Sequence, residues 1–134
     1  MADKTIFSKI IDREIPAAFV YEDEICVVIM DAFPSVSGQT LVIPRQPIDY
    51  IFELPDDVYK HLLEVTKKIA RAMDIAFDTS RTCVVVEGFE VPHVHVKLYP
   101  LDKDQSALTN VIIHTAPTDP EELQAQANKI KEQL

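Results

Sequence analysis

Pro92-His93-Val94-His95-Val96-Lys97-Leu98-Tyr99-Pro100 is a nine-residue alternation of polar and apolar side chains. Side chains in an extended segment repeat with a period of two. His93, His95, Lys97 and Tyr99 therefore share one face, and Val94, Val96 and Leu98 share the other. Same-face neighbours on a strand stand roughly 6–7 Å apart. One phosphate group spans that interval, so two imidazoles and an amine converge on one place.

The rest of the chain places this strand in a sheet. Ala18–Glu22 and Ile25–Asp31 read as a hairpin around Glu22-Asp23-Glu24, and Thr40–Pro44 as a third strand ended by proline. Ala32–Gly38, with its proline, serines and glycine, reads as the loop between them. Thr82–Val86 is a fourth strand and the histidine segment the fifth. Thr5–Asp12 reads as a short helix with an apolar side made of Ile6, Phe7, Ile10 and Ile11. A long helix starts near Pro55, with Asp56 and Asp57 at its positive end, and runs to about residue 77. Its stripe of Val58, Leu62, Val65, Ile69, Ala72 and Ala76 belongs against the sheet. Thr118-Asp119-Pro120-Glu121 resembles a capping box with Thr118 at the N-cap. A closing amphipathic helix follows, buried through Leu123, Ala127, Ile130 and Leu134. Val111-Ile112-Ile113 is a short strand or a docking segment. The expected class is α+β: about five antiparallel strands, one long helix packed on them and a C-terminal helix. A core over residues 5–100 and an extension over 101–134 form one domain.

Bulk properties bound the function. The 134 residues suffice for a real core, and 47% apolar content argues against disorder. A formal net charge of −9 disfavours a nucleic-acid polymer as partner, while a small anion needs only a local positive pocket. No apolar run reaches membrane-span length and the first residues lack a signal-peptide pattern, so a cytoplasmic protein without a membrane partner is expected. Cys26 and Cys83 lie in apolar runs and read as buried free thiols. Gly38 and Gly88 are the chain's only glycines, and so mark places where the backbone needs unusual angles or close approach.

Three readings of the histidine face stay open on the residues alone. Both imidazoles could be buried and hydrogen-bonded. Two histidines at i, i+2 could share a zinc ion, although the Lys97 ammonium opposes a dication there. Or an imidazole could act as nucleophile on a phosphate ester or amidate, with its neighbours holding the phosphoryl oxygens.

The chain resembles the histidine triad (HIT) family of nucleotide hydrolases and transferases. The signature His-x-His-x-His is matched by His93-Val94-His95-Val96-Lys97, with lysine at the third position. The segments Ile6–Ile11, Glu14-Ile15-Pro16, Tyr21-Glu22-Asp23, Asp31-Ala32-Phe33-Pro34 and Leu41–Arg45 follow the family's order. The resemblance implies that His95 attacks the α-phosphorus of a purine nucleotide and forms a nucleotidyl-histidine intermediate. His93 and Lys97 would complete the catalytic face. Asp31 would bind ribose hydroxyls, with Ile6, Phe7, Ile10 and Ile29 lining the base pocket and Gln39 also in the nucleotide site. The bond broken would be a phosphoramidate or phosphoanhydride. No cofactor or metal is implied, and the partner is a second copy of the chain in a homodimer. The departures are Lys97, Gln39 and Val86 where the family commonly has histidine, histidine and asparagine, Pro47 near a missing histidine, and a phosphate loop shortened to Phe89–Pro92. They keep open two alternatives, a nucleotide-binding or interaction module with little turnover and a nucleotidyltransferase.

Overall fold

The computed structural model describes residues 4–104, 108–110 and 117–134. Helix α1 (Ile6–Ile11) precedes the hairpin β1 (Phe19–Glu22) and β2 (Cys26–Met30), then β3 (Thr40–Pro44). A 3-10 turn at Ile51–Glu53 leads into α2 (Asp56–Ala76), followed by β4 (Arg81–Val85) and β5 (Val96–Leu101). After a 3-10 turn at Leu108–Asn110 the chain closes with α3 (Pro120–Lys131). The five strands form one sheet in the order β1-β2-β3-β5-β4, every pair antiparallel. The expected α+β architecture is thus the one observed.

Both faces of the sheet are covered, so β2 and β3 are buried throughout. Cys26, Val28 and Met30 join Val42, Val96 and Leu98 beneath the buried stripe of α2, from Val58 to Met73. Val27, Ile29, Leu41 and Ile43 face the other way, onto Phe7 and Ile10 of α1. A strand buried on both sides reads as a continuous apolar run. Helix α3 lies on the α2 side, where Leu123, Ala127 and Ile130 enter the same core. The C-terminal residues therefore complete one face of the sheet.

Local chemistry explains the turns. The Asp23 carboxylate closes the β1–β2 hairpin: its Oδ1 accepts the amides of Ile25 and Cys26, both at 2.8 Å. Its Oδ2 takes the Tyr21 hydroxyl at 2.9 Å and the His61 Nε2 of α2 at 2.6 Å. Burial alone would push this carboxyl up, but the Cys26 amide, His61, the Ile25 amide and Tyr21 together hold it well below the usual range. Gly38 and Gly88 have φ of 88° and 81°, in the region that favours glycine. A Cβ at Gly38 would also come within 2.9 Å of the Phe77 ring.

Several boundaries differ from the sequence reading. The fifth strand begins at Val96, so His93 and His95 precede it in an irregular approach segment that bends over residues 91–93. That segment is held by the Val94 amide on the Ile48 carbonyl at 2.8 Å, outside the sheet ladder. The N-cap of α3 is Asp119, whose side chain accepts the Glu121 amide, and Pro120 opens the helix. Thr118 falls outside the cap because proline at the first helical position shifts the start by one residue. Leu134 lies past the end of α3 and is 42% exposed. The Val111–Ile113 segment lies outside the described residues. Both thiols are free, and Cys26 is buried as expected, but Cys83 is only partly buried because it lies on the edge strand β4.

Two outcomes follow from this packing. Ile130 is fully buried, so Ile130→Ala should cost about 2–4 kcal/mol in urea unfolding, the scale of a large-to-small core change. Asp23→Asn should lower stability at neutral pH. Because the carboxyl titrates lower in the folded state, its contribution is full above its ordinary value of 3.8 and fades as pH falls below it. Unfolding curves of the two proteins should accordingly converge in acid.

Candidate active site

The two histidines are held in different ways, and each arrangement fixes a tautomer. The His95 Nδ1 lies 2.7 Å from the His93 carbonyl oxygen. A carbonyl only accepts, so Nδ1 carries the proton and donates. In the neutral ring Nε2 is then the nitrogen with a free lone pair. Burial disfavours the charged imidazolium at His95 and outweighs the favourable His93 carbonyl, and the nearby Lys97 charge acts in the same direction as burial. The pKa is lowered from its ordinary 6.5 despite the opposing carboxylates Asp31 and Glu87. His95 is therefore neutral at physiological pH, with a defined nucleophilic nitrogen.

His93 is completely buried, and both of its nitrogens are engaged. Nε2 donates to the Pro44 carbonyl at the end of β3, at 2.8 Å. Nδ1, also at 2.8 Å, then accepts the Thr5 hydroxyl. Thr5 is in turn the N-cap of α1, accepting the Ser8 amide at 3.0 Å. Burial lowers the His93 pKa as well, against the raising effect of the Pro44 carbonyl. This ring is a strut between β3, α1 and the approach segment. With both nitrogens occupied it is not a ready metal ligand. Its backbone carbonyl, not its imidazole, meets His95.

Phe7 packs against both rings, with its centroid 4.7 Å from His95 and 5.9 Å from His93. The resemblance implies a place in a base pocket; in the structure its ring braces the imidazoles. Ile10 and Ile29 belong to the same apolar cluster, whereas Ile6 is 47% exposed.

Lys97 points to the His95 side, where its Nζ meets Glu87 Oε1 at 3.0 Å. Burial acts to lower this amine, but the Glu87 hydrogen bond and the charges of Glu87 and Glu90 help raise it overall. Lys97 is a fixed cation at neutral pH. Glu87 lies in the β4–β5 connection, and nothing in the spacing of Glu87 and Lys97 announced the pair. Tyr99 continues the face and is 3% exposed. Asp31, at the end of β2, is joined to Gln39: Oδ2 accepts Gln39 Nε2 at 2.7 Å, and Oδ1 accepts the Phe33 amide at 2.9 Å. The Gln39 Oε1 accepts the Ser35 amide at 2.7 Å, so the glutamine holds the carboxylate in place.

Asp23, Cys26 and His61 bring three ligand-type atoms within 4.8 Å of one another. The Asp23 oxygens already serve four donors, and burial pushes the Cys26 thiol up to about 12. This cluster locks the hairpin to α2, and its protonated thiol is a poor ligand.

A HIT domain family model matches residues 12–104. An uncharacterised HIT-like protein of Synechocystis is 38% identical over 105 residues, spanning 73% of this chain and 90% of its own. The fold superposes on a HIT-like protein involved in cell-cycle regulation from Bartonella henselae with a TM-score of 0.85 at 27% identity, covering 100% of this chain and 99% of that one. A hypothetical histidine triad nucleotide-binding protein from Sulfolobus tokodaii gives 0.83 at 26% identity, over 95% and 89% of the two chains. With most of the chain matched in sequence by the family model and by a relative at 38% identity, this protein belongs to the HIT domain family.

Proposed function

We propose that this chain is a purine-nucleotide hydrolase acting at the α-phosphate through a nucleotidyl-histidine intermediate on His95. The observation that carries the reading is the tautomer of His95: a neutral ring whose Nδ1–H is tied to a carbonyl and whose Nε2 lone pair is free to attack. In that step Nε2 bonds to phosphorus and the bond to the leaving group breaks. The leaving group departs with the electron pair and takes a proton from solvent. The ring becomes cationic, and the His93 carbonyl then accepts a charge-assisted hydrogen bond from Nδ1. Water attacks the intermediate in the second step, loses its proton and releases the nucleoside monophosphate with neutral His95.

The remaining residues divide the work. The Lys97 ammonium offsets charge on the phosphoryl oxygens. Asp31 accepts ribose hydroxyls with the lone pairs not used by Gln39 and Phe33. Phe7, Ile10 and Ile29, with Ile6 at the rim, receive the base. The exposed edge of β4, where Val84 is 51% exposed, is available for a second copy that would join two sheets side by side. No helix among the described residues is long and apolar enough to cross a membrane, in keeping with a cytoplasmic site of action. One observation favours the alternative of a binding module with weak turnover. Lys97 is already paired with Glu87, so its charge is partly spent before a phosphate arrives.

With an adenosine phosphoramidate as substrate, His95→Ala should abolish turnover while the fold persists. His93→Ala should retain some turnover and lose about 1–3 kcal/mol of stability, the scale of unpairing buried polar groups. Wild-type rate should stay level through neutral pH and fall only below 6.5, as the His95 nucleophile protonates. A nucleotidyl mass adduct absent from His95 after rapid quench would overturn the covalent route. Asp31→Ala should weaken nucleoside monophosphate binding by about 1–3 kcal/mol in calorimetry, and unchanged affinity would remove its ribose role.

A further inference from the structure

The connection between β2 and β3 folds back on itself and carries Asp31. The Asp31 amide donates to the Gln39 carbonyl at 3.0 Å, and the Gln39 amide to the Val36 carbonyl at 3.2 Å. Within this loop the Gln39 side chain joins the Asp31 carboxylate to the Ser35 amide. The Asp31 charge reaches His95, so the loop borders the site proposed for the nucleotide. Bonds inside a loop give it shape. Its orientation on the sheet also depends on contacts from outside it.

The C-terminal segment supplies such contacts at both ends of the loop. The Thr118 amide, just before α3, donates to the Ala32 carbonyl at 3.1 Å. Gln126 Nε2, in the middle of α3, donates to Ser37 Oγ at 3.0 Å. Next to Ser37, Gly38 backs onto the Phe77 ring that ends α2, which blocks movement of the loop toward that helix. Gln126 is 8% exposed, on a helix face whose other buried members are Leu123, Ala127 and Ile130. A buried amide is costly unless it is hydrogen-bonded, and an apolar residue would fit that face without the cost. The bond to Ser37, across 89 positions of sequence, gives the glutamine its use there.

We infer that Gln126 is a positioning residue for Asp31: through Ser37, helix α3 holds the β2–β3 loop in the orientation at which the Asp31 carboxylate meets the ribose hydroxyls. The inference rests on the ribose role proposed for Asp31 and adds what aims that carboxylate. Calorimetry with adenosine monophosphate and its 2′,3′-dideoxy analogue tests it, because the two ligands differ only in those hydroxyls. Wild type should bind the ribose form more tightly by roughly 5- to 100-fold, and Asp31→Ala should bring the ratio close to unity. Gln126→Leu keeps the side-chain size and removes the donor. Ser37→Ala removes the acceptor at an exposed position, where folding is not at risk. Each should cut the ratio by roughly 2- to 10-fold and leave the affinity for the dideoxy analogue unchanged. The double variant should lose no more than either single one, since both break the same bond.

A ratio that survives both single substitutions would overturn the inference and leave the Asp31 role standing. Equal weakening of both ligands would also overturn it, because lost packing, not a misaimed carboxylate, would be the cause. Losses that add in the double variant would overturn it too, since the two side chains would then act independently. If Gln126→Leu does not fold, the ratio in Ser37→Ala alone decides. A wild type that does not discriminate between the ligands would remove the ribose role, and the inference with it.

Discussion

The buried His93 imidazole is the joint on which the site depends. Three segments distant in sequence end at this ring: the close of β3 through the Pro44 carbonyl, the start of α1 through Thr5, and the approach to β5 through its own backbone. Nothing about the ring is available for chemistry, and that is why it can hold the neighbouring carbonyl still. That carbonyl fixes the protonated nitrogen of His95 and leaves the opposite nitrogen bare. Precise orientation of a nucleophile is worth more to a reaction than an additional reactive group. The most buried polar side chain of the site is thus a positioning element for the one beside it.

Charge is distributed with the same economy. His95 is kept neutral mainly by burial, aided by Lys97, while Lys97 is kept charged by Glu87. A lysine at the third position of the motif cannot act as an imidazole would at neutral pH, since it titrates far from neutrality. It can only offer a permanent positive charge. The carboxylate beside it then decides how much of that charge a ligand meets.

The sheet makes this possible by covering both of its faces. Helices α2 and α3 seal one side, so Val94, Val96 and Leu98 anchor the motif from beneath. Helix α1, only six residues long, covers part of the other side with Phe7 and Ile10. A helix that short is marginal on its own. Its stability comes from the cap at Thr5 and from packing, and the same threonine hydroxyl reaches His93. Helix α1 and the histidine segment are therefore coupled through one side chain.

Periodicity carried much of this in advance. The two-residue alternation from His93 to Tyr99 assigned His95, Lys97 and Tyr99 to one face and the valines to the other, because side-chain direction in an extended chain is a local property. The stripe of α2 announced what would cover one face of the sheet, whereas the burial of β2 and β3 on both sides emerged only from the packing. Local pattern also marked Gly38 and Gly88, where the backbone has positive φ. What only the tertiary structure decided are the contacts between segments far apart in the chain. Thr5 with His93 spans 88 positions, and Pro44 with His93 spans 49. The pairing of Glu87 with Lys97 depends on a loop turning back over the sheet, and the exact start of α3 on which of two adjacent residues caps it. Such contacts leave no periodic trace in a sequence. They arise where the packed sheet brings distant segments together, and there the His93 ring is braced and the Lys97 charge is paired.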